Sequence, residues 1–258
     1  KTERLFLTHL HSDHFDGLGE LMVQSWVQGA RGTPLPVSGP PGTIGVAQGF
    51  NAAYALDATY RTAHHGQEIA NPAGAGLAAE EIVIPAGADS VVVMKKGDLT
   101  VTAIRVSHDP VKDAYAYRVD YKGRGIAISG DTAFDPRFAR AAKGVDVIFH
   151  EALDRKLVGR MQKAAARNGS PAIAKVMADI PGYHASPVEA AKIAQMAGAR
   201  MLVFYHTIPP LPFGIVESLF LEGTGEAYDG EIRISRDGDR VSLPAGGTAM
   251  DYENVLSR

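Results

Sequence analysis

The first third of the chain alternates between short apolar runs and longer amphipathic stretches. The apolar run Arg4–Thr8 predicts a buried strand, and the apolar residues of Phe15–Gln28 recur at helical spacing. Leu35–Val37 predicts a second strand, and Thr43–Leu56 predicts a second helix. The stretch Asp57–Ala79 is rich in alanine, glycine and polar side chains and therefore predicts a long loop.

The pattern changes after Ile82, where apolar runs of strand length follow one another with turn residues between them. The predicted strands are Ser90–Met94, Leu99–Val106, Ala114–Tyr121 and Gly125–Ser129. Helices and strands then alternate: a helix over Phe134–Ala142, a strand over Val145–Phe149, a helix from Glu151, a helix over Pro187–Ala197, a strand over Met201–Tyr205, and a final hairpin of Glu231–Ser235 and Arg240–Leu243. This order predicts a single α/β domain over residues 1–258, with a loop-rich insert near residues 57–80.

The composition is that of an ordinary globular protein, with 45% apolar and 21% charged residues. A formal charge of −3 gives no basic surplus, so it argues against a nucleic-acid partner. The absence of cysteine excludes disulfides and thiolate metal ligands. Every apolar run falls short of the ~18 residues that a membrane span needs. Composition leaves the cytoplasm and the periplasm both open as compartments.

The segment "THLHSDH" (Thr8–His14) concentrates metal-binding side chains directly after the first predicted strand. His9 and His11 lie two positions apart, and residues at this spacing point to the same side of an extended backbone. Asp13 and His14 follow in the turn that leads to the first helix. Imidazole and carboxylate groups are the usual protein ligands of Zn²⁺ and related divalent ions, so this segment predicts part of a metal site.

Three further polar residues each follow an apolar run that predicts a strand. His108 stands in "RVSHDP", Asp131 in "ISGDT" and His206 in "VFYHT". A single polar residue after a strand is usually just part of a turn. Taken together with the histidine-rich segment, these positions predict that the side chains converge at one rim of the sheets and form a metal centre.

These motifs resemble those of the metallo-β-lactamase-fold hydrolases. Within that superfamily, "FHEA" (Phe149–Ala152) and "HAS" (His184–Ser186) are similar to motifs of the ribonuclease Z and arylsulfatase-like branch. The resemblance implies an α/β fold, a four-layer αββα sandwich. Members of the family carry strands before the first histidine motif, whereas only eight residues precede His9. We therefore expect the chain to lack the family's N-terminal strands, which a longer protein or another segment would supply.

The resemblance also implies two divalent metal ions, with Zn²⁺ as the first expectation and Mn²⁺ or Fe²⁺ as alternatives. The implied ligands are His9, His11 and His108 for one ion, Asp13, His14 and His206 for the other, and Asp131 as the bridge. Such a pair of cations lowers the pKa of water and stabilises developing negative charge, which is the chemistry of a hydrolase. Asp13 is also a candidate to orient the attacking water or to accept its proton.

The resemblance further implies a proton donor and its partner. His184 is the candidate that protonates the leaving group, because imidazole titrates near neutrality, and Glu151 would hold its ring. The alternative for His184 is a surface position beside the helix that opens at Ser186-Pro187. His150 also stands at a strand end and is assigned no role.

Three functions remain open on these residues. The first is a hydrolase of an ester-like bond in a small molecule: a carboxylic, sulfate or phosphate ester, a lactone or a lactam. The second is a tRNA 3′-processing endonuclease. Nucleases of that type carry a long arm between the residues that correspond to His108 and Asp131, which here lie only 23 positions apart. The basic segment Lys156–Gly169 could form a patch that binds a phosphate backbone, but it is interpreted as the solvated face of a helix. The third function is an inactive metal-binding scaffold, which the complete ligand set argues against.

The sequence therefore favours a small-molecule substrate over a nucleic acid. The resemblance also implies a homodimer as a plausible assembly.

Overall fold

Three short parallel strands organise the first of two units into which the chain divides, between Val83 and Ile84. The computed structural model describes residues 2–256. The elements of the first unit are β1 (Leu5–Phe6), α1 (Leu18–Val27), β2 (Leu35–Gly39), α2 (Thr43–His65) and β3 (Leu77–Glu81). The strands lie in the order β1-β2-β3, and apolar residues of α1 and α2 pack against β2 in a core that includes Met22, Val37 and Ala47.

The prediction of a loop over Asp57–Ala79 is wrong for most of that range. Helix α2 continues through His65, a 3-10 turn covers Pro72–Gly74, and β3 begins at Leu77. The alanines that suggested a loop are strong helix formers, and an ion pair between Asp57 and Arg61 spans one turn of the helix. The helix ends at Gly66, whose φ of 75° favours glycine.

A mixed seven-stranded sheet forms the centre of the second unit. Its strands lie in the order β10-β9-β8-β7-β6-β5-β4. The elements of this unit are β4 (Ser90–Lys96), β5 (Leu99–His108), β6 (Val111–Tyr121), β7 (Arg124–Ile128), α3 (Pro136–Ala141), β8 (Val147–Leu153), α4 (Arg155–Arg167), α5 (Pro171–Asp179), α6 (Pro187–Ala197), β9 (Met201–Ile208), α7 (Gly214–Phe220), α8 (Thr224–Ala227), β10 (Glu231–Ile234), β11 (Asp239–Ser242) and β12 (Asp251–Asn254). Within residues 2–256, no helix has both the length and the apolar character needed to cross a bilayer.

Strand direction in this sheet follows from the connections. Tight turns join β4 to β5 and β6 to β7, and these neighbours are antiparallel. Lys122 and Gly123, in the second turn, both have positive φ, as a two-residue hairpin turn of the favoured twist requires. Helices join β7 to β8, β8 to β9 and β9 to β10, and these neighbours are parallel. The α/β fold class of mixed sheets flanked by helices is confirmed.

Two predicted elements differ from the structure. Strand β8 runs through Glu151 to Leu153, and α4 begins only after Asp154, whose side chain accepts hydrogen bonds from the amides of Lys156 and Leu157. The prediction of a final hairpin is also wrong. β10 pairs in parallel with β9, while β11 pairs with β12 in a separate two-stranded sheet. Local sequence pattern does not predict these pairings, because the paired strands are distant in sequence or separated by a long connection.

A network of hydrogen bonds centred on Asp146 links the segment between β11 and β12 to the large sheet. The Arg124 guanidinium donates to both carboxylate oxygens of Asp146 at 3.0 Å, and it also donates to the carbonyls of Pro244 and Ala249. Arg200 donates to Asp146 and to the carbonyl of Thr248. Burial alone would raise the pKa of the Asp146 carboxyl, but hydrogen bonds from Arg124 and the Gly125 amide outweigh burial and lower that pKa.

We expect Asp146→Asn to reduce the free energy of unfolding at pH 7 by about 1–3 kcal/mol, because charge-assisted hydrogen bonds from two arginines are lost. The pKa of Asp146 is lower in the folded state, so its stabilisation is present above the unfolded value of about 3.9 and is lost as pH falls through the folded pKa. Urea titrations should therefore show the difference between wild type and variant shrinking below about pH 4. The exposed Asp98→Asn is the matched control, and an equal loss in that variant would contradict the assignment.

Candidate active site

Polar residues of the second unit come together at one edge of the large sheet, where several strands end. β6 is antiparallel to both β5 and β7, so β5 and β7 run in the same direction, and β8 and β9 are parallel to β7. The carboxyl ends of these four strands therefore share one edge. His108 ends β5, Asp131 follows β7, and Glu151 and His206 lie near the ends of β8 and β9. The structure thus brings these strand-end residues of the second unit together at one edge.

Asp131 lies at the centre of this edge and is 3% exposed. One carboxylate oxygen, Oδ2, is 4.0 Å from His108 Nε2 and 3.8 Å from His206 Nε2. These separations are too long for hydrogen bonds. Two ligand atoms that share a Zn²⁺ each lie about 2.0–2.2 Å from it, so they are at most about 4.3 Å apart. Asp131 Oδ2 is therefore close enough to His108 Nε2, and separately to His206 Nε2, for each pair of atoms to share a divalent cation.

The ring of His108 is fixed by a backbone carbonyl. Its Nδ1 lies 3.0 Å from the carbonyl oxygen of Tyr183. A carbonyl can only accept, so Nδ1 carries the proton and the lone pair of Nε2 is left to serve as a ligand. A carbonyl that orients the far nitrogen of a histidine in this way is typical of metal-binding imidazoles.

His206 occupies a distorted point of β9. His150 pairs with Phe204 and Ala152 pairs with Thr207, so Tyr205 and His206 together oppose Glu151 in a β-bulge. The φ of His206 is 46°, in the left-handed region that non-glycine residues seldom adopt. The bulge changes the direction in which the His206 side chain points, and its Nε2 is directed to Asp131.

Glu151 is fully buried and organises the surrounding loops. Its Oε1 accepts hydrogen bonds from the amides of Thr132 at 3.1 Å and Ala185 at 3.2 Å. The Nδ1 of His184 lies 3.1 Å from the same oxygen. Because Oε1 is already an acceptor, Nδ1 of His184 must donate, and Nε2 is the ring atom that can gain or release a proton. Burial and the charge of Asp131 raise the pKa of Glu151 well above its usual value.

His184 is itself buried, with 4% of its surface exposed, so the alternative surface position is wrong. Its Nδ1 is 4.0 Å from Asp131 Oδ2, and its ring stacks at 6.0 Å, centroid to centroid, on His206. His150 differs from these histidines. Its Nδ1 contacts the carbonyl of Glu151, and burial lowers its pKa to about 4, so it is a neutral residue of the core.

The first unit holds the other four candidate residues in one short segment. His9 Nε2 and His11 Nδ1 are 2.9 Å apart, and the rings of His9 and His14 have centroids 4.1 Å apart. The 3-10 turn Ser12–His14 brings Asp13 Oδ2 to 3.3 Å from His14 Nε2. His9 is fully buried, whereas the Asp13 side chain is 64% exposed. The segment thus gathers three imidazoles and a carboxylate within the first unit.

Several contacts that orient these side chains come from the main chain and are absent from the predicted residues. They are the Tyr183 carbonyl behind His108 and the amides of Thr132 and Ala185 on Glu151. Every residue carries such groups, so residue type gives no signal for them.

Known proteins resemble this chain over most of its length. The profile of the beta-lactamase superfamily domain matches residues 2–207. A ribonuclease Z of Mycolicibacterium gilvum is 29% identical over 244 residues, which cover 94% of this chain and 78% of the relative. A ribonuclease Z of Mycobacterium marinum is 30% identical over 246 residues, with 93% and 80% covered. The crystal structure of the short form of human tRNase Z superposes with a TM-score of 0.58 at 19% identity, with 91% of this chain and 76% of that one covered.

Fold, edge residues and similarity together define a metal-dependent hydrolase of the metallo-β-lactamase type. The chain belongs to the beta-lactamase superfamily and, within it, to the ribonuclease Z branch.

The comparisons correct two expectations. A small-molecule ester hydrolase was the favoured function and a nucleic acid was not expected as a partner, yet the relatives are named ribonuclease Z. Both expectations are wrong. One rested on a formal charge of −3, which sums the whole chain and does not report where positive charge is concentrated. The other rested on the absent arm between His108 and Asp131, which does not outweigh similarity over more than nine-tenths of the chain.

The helix that follows His184 has a capping box that fixes the start of the segment. The Ser186 side chain accepts from the amide of Glu189, and the Glu189 carboxylate accepts from the amide of Ser186. We expect Ser186→Ala to lower the free energy of unfolding by about 1 kcal/mol, because the first turn of α6 loses its side-chain acceptor. Thermal or urea unfolding measures the loss. Ser218→Ala, at an exposed position within α7, should change stability by less than half as much.

Proposed function

We propose that this protein is a metal-dependent endoribonuclease that processes the 3′ ends of tRNA precursors. The similarity to enzymes named ribonuclease Z over 93–94% of the chain carries the proposal. The Glu151–His184 pair beside Asp131 supports it, because this pair supplies the proton transfer that hydrolysis of a phosphodiester with a ribose leaving group needs.

We also propose the identity of the metal ligands. They are His9, His11, Asp13 and His14 from the first unit, and His108, Asp131 and His206 from the second. The separations of Asp131 Oδ2 from His108 Nε2 and from His206 Nε2 support the assignment, because each pair of atoms is close enough to share a divalent cation. All seven side chains are ligands that Zn²⁺ accepts. Two such ions would lower the pKa of water and stabilise negative charge on the phosphate oxygens.

In the proposed reaction a water oxygen forms a bond to phosphorus and the bond from phosphorus to a ribose oxygen breaks. The departing ribose oxygen takes a proton from His184 Nε2, while Nδ1–H remains held by Glu151. The hydrogen bond from Nδ1–H to Glu151 Oε1 keeps the ring in one orientation during the transfer. The exposed carboxylate of Asp13 is available to orient the water or to accept its proton.

Removing the proton donor should slow cleavage of a tRNA precursor with a 3′ trailer. We expect His184→Ala to reduce kcat/KM by about 10²–10⁴-fold, the usual contribution of a general acid. Single-turnover cleavage of the precursor, followed on denaturing gels, measures the effect. His64→Ala, at an exposed position of α2, is the matched histidine control and should leave the rate unchanged.

The leaving group provides an independent check of the same role. The nitrophenolate of bis(p-nitrophenyl) phosphate departs without a proton, so His184→Ala should impair hydrolysis of that diester far less than cleavage of RNA. Equal losses on both substrates would contradict a proton-donor role. A wild-type protein that hydrolyses the diester but leaves the tRNA precursor intact would refute the proposed function.

Metal content tests the ligand assignment without reference to activity. We expect elemental analysis to find about two divalent ions for each wild-type chain and fewer than one for Asp131→Ala, which removes the shared ligand. Asp98→Ala, an exposed carboxylate on the turn between β4 and β5, serves as the control. Two ions retained in Asp131→Ala would show that the bridging assignment is wrong.

A further inference from the structure

One face of α4 carries four cations. Lys156, Arg160, Lys163 and Arg167 are spaced by four, three and four residues, and this spacing aligns them on one side of a helix. All four are exposed. Val158, on the opposite side of α4, is fully buried. These four residues are called the α4 stripe below.

Helix stability does not explain the α4 stripe. The sequence of α4, RKLVGRMQKAAAR, contains no acidic residue, whereas surface helices usually mix both signs of charge. Lys156 lies in the first turn, where the helix dipole disfavours a cation, and only Arg167 lies in the last turn, where the dipole favours one. Concentrated positive charge of this kind is typical of a surface that binds a polyanion.

Most of the stripe is also unneutralised. Lys156 contacts Glu222 at 2.7 Å, but both side chains are largely exposed, and an exposed pair of this kind is weak. Within residues 2–256, no carboxylate lies within ion-pair distance of Arg160, Lys163 or Arg167. Three full charges therefore face solvent in a protein whose formal net charge is −3.

The stripe starts beside the candidate catalytic residues. Helix α4 follows β8, the strand that carries Glu151, and the amide of its capping residue Asp154 donates to the carbonyl of Ile208 at the end of β9. Arg155, the first residue of α4, donates to the carbonyl of His184 at 3.3 Å. From there the stripe extends along the helix for about 16 Å, at 1.5 Å per residue.

We propose that the α4 stripe binds the phosphate backbone of the RNA substrate and guides it to the edge that carries Glu151 and His184. This inference rests on the proposed function and adds the surface that holds the substrate. RNA is favoured over an anionic membrane because a membrane-binding helix needs a free apolar face, whereas Val158 of α4 is packed in the protein core.

The test compares two triple variants that remove the same charge. The stripe variant is Arg160→Ala/Lys163→Ala/Arg167→Ala. The control is Lys95→Ala/Lys143→Ala/Lys192→Ala, three exposed lysines that lie outside α4. Affinity for a tRNA precursor is measured by fluorescence anisotropy in EDTA, over a range of salt concentrations. We expect the stripe variant to bind about 10- to 100-fold more weakly, and the slope of log affinity against log salt to decrease by about 2. The control should change affinity by less than about threefold, because scattered charges do not follow one backbone.

The outcomes separate this inference from the proposed function. If wild type binds the precursor through α4 but does not cleave it, the proposed function fails and the inference holds. If wild type cleaves the precursor and the stripe variant binds it as the control does, the inference alone is overturned. Absence of binding by wild type overturns the inference. So does loss of binding to phosphatidylserine vesicles in the stripe variant with RNA affinity retained, which would assign the surface to a membrane.

Discussion

The arrangement of the sheet edge depends on the hydrogen bonds that the Glu151 carboxylate accepts. Its Oε1 receives donors from two separate segments: the amide of Thr132, beside Asp131, and the amide of Ala185 with the ring of His184. Burying a carboxylate costs free energy unless hydrogen-bond donors satisfy it. Moving either segment away would leave Glu151 buried without those donors, and this cost keeps both segments in place. The distance between the His184 imidazole and Asp131 is therefore a consequence of this one oxygen.

Sequence pattern predicted the parts of the edge that depend on strand direction. His108, Asp131 and His206 follow apolar runs, and tight turns or helical crossovers between those runs determine which ends meet. Pattern did not predict the bulge at Tyr205 and His206, because pairing against β8 creates it. Nor did it predict the extension of α2 through residues 57–65, where composition was interpreted as a loop although alanine favours a helix. Pairings of β10 and β12 depend on contacts that no local window contains.

The wrong substrate class and the role proposed for α4 are connected by one physical fact. Net charge is a sum, whereas binding of a polyanion depends on the potential at one surface. A helix of thirteen residues with no acidic side chain is compatible with a formal charge of −3 when carboxylates are concentrated elsewhere. The same segment was visible in the sequence, but only the structure shows that its cations share one exposed face opposite a buried valine.

The edge of the sheet combines features that each disfavour folding: a desolvated carboxylate at Glu151, a bulge, and a left-handed backbone at His206. A left-handed backbone at a non-glycine residue such as His206 costs on the order of 1–3 kcal/mol and persists only where the surroundings determine it. Here those surroundings are rigid. Ile148, Leu202 and Phe204 in the adjoining strands are fully buried, and a capping box fixes the start of α6 two residues after His184. Stability gained in the core thus holds donor atoms at separations that a cation fits and that a relaxed strand end would not maintain.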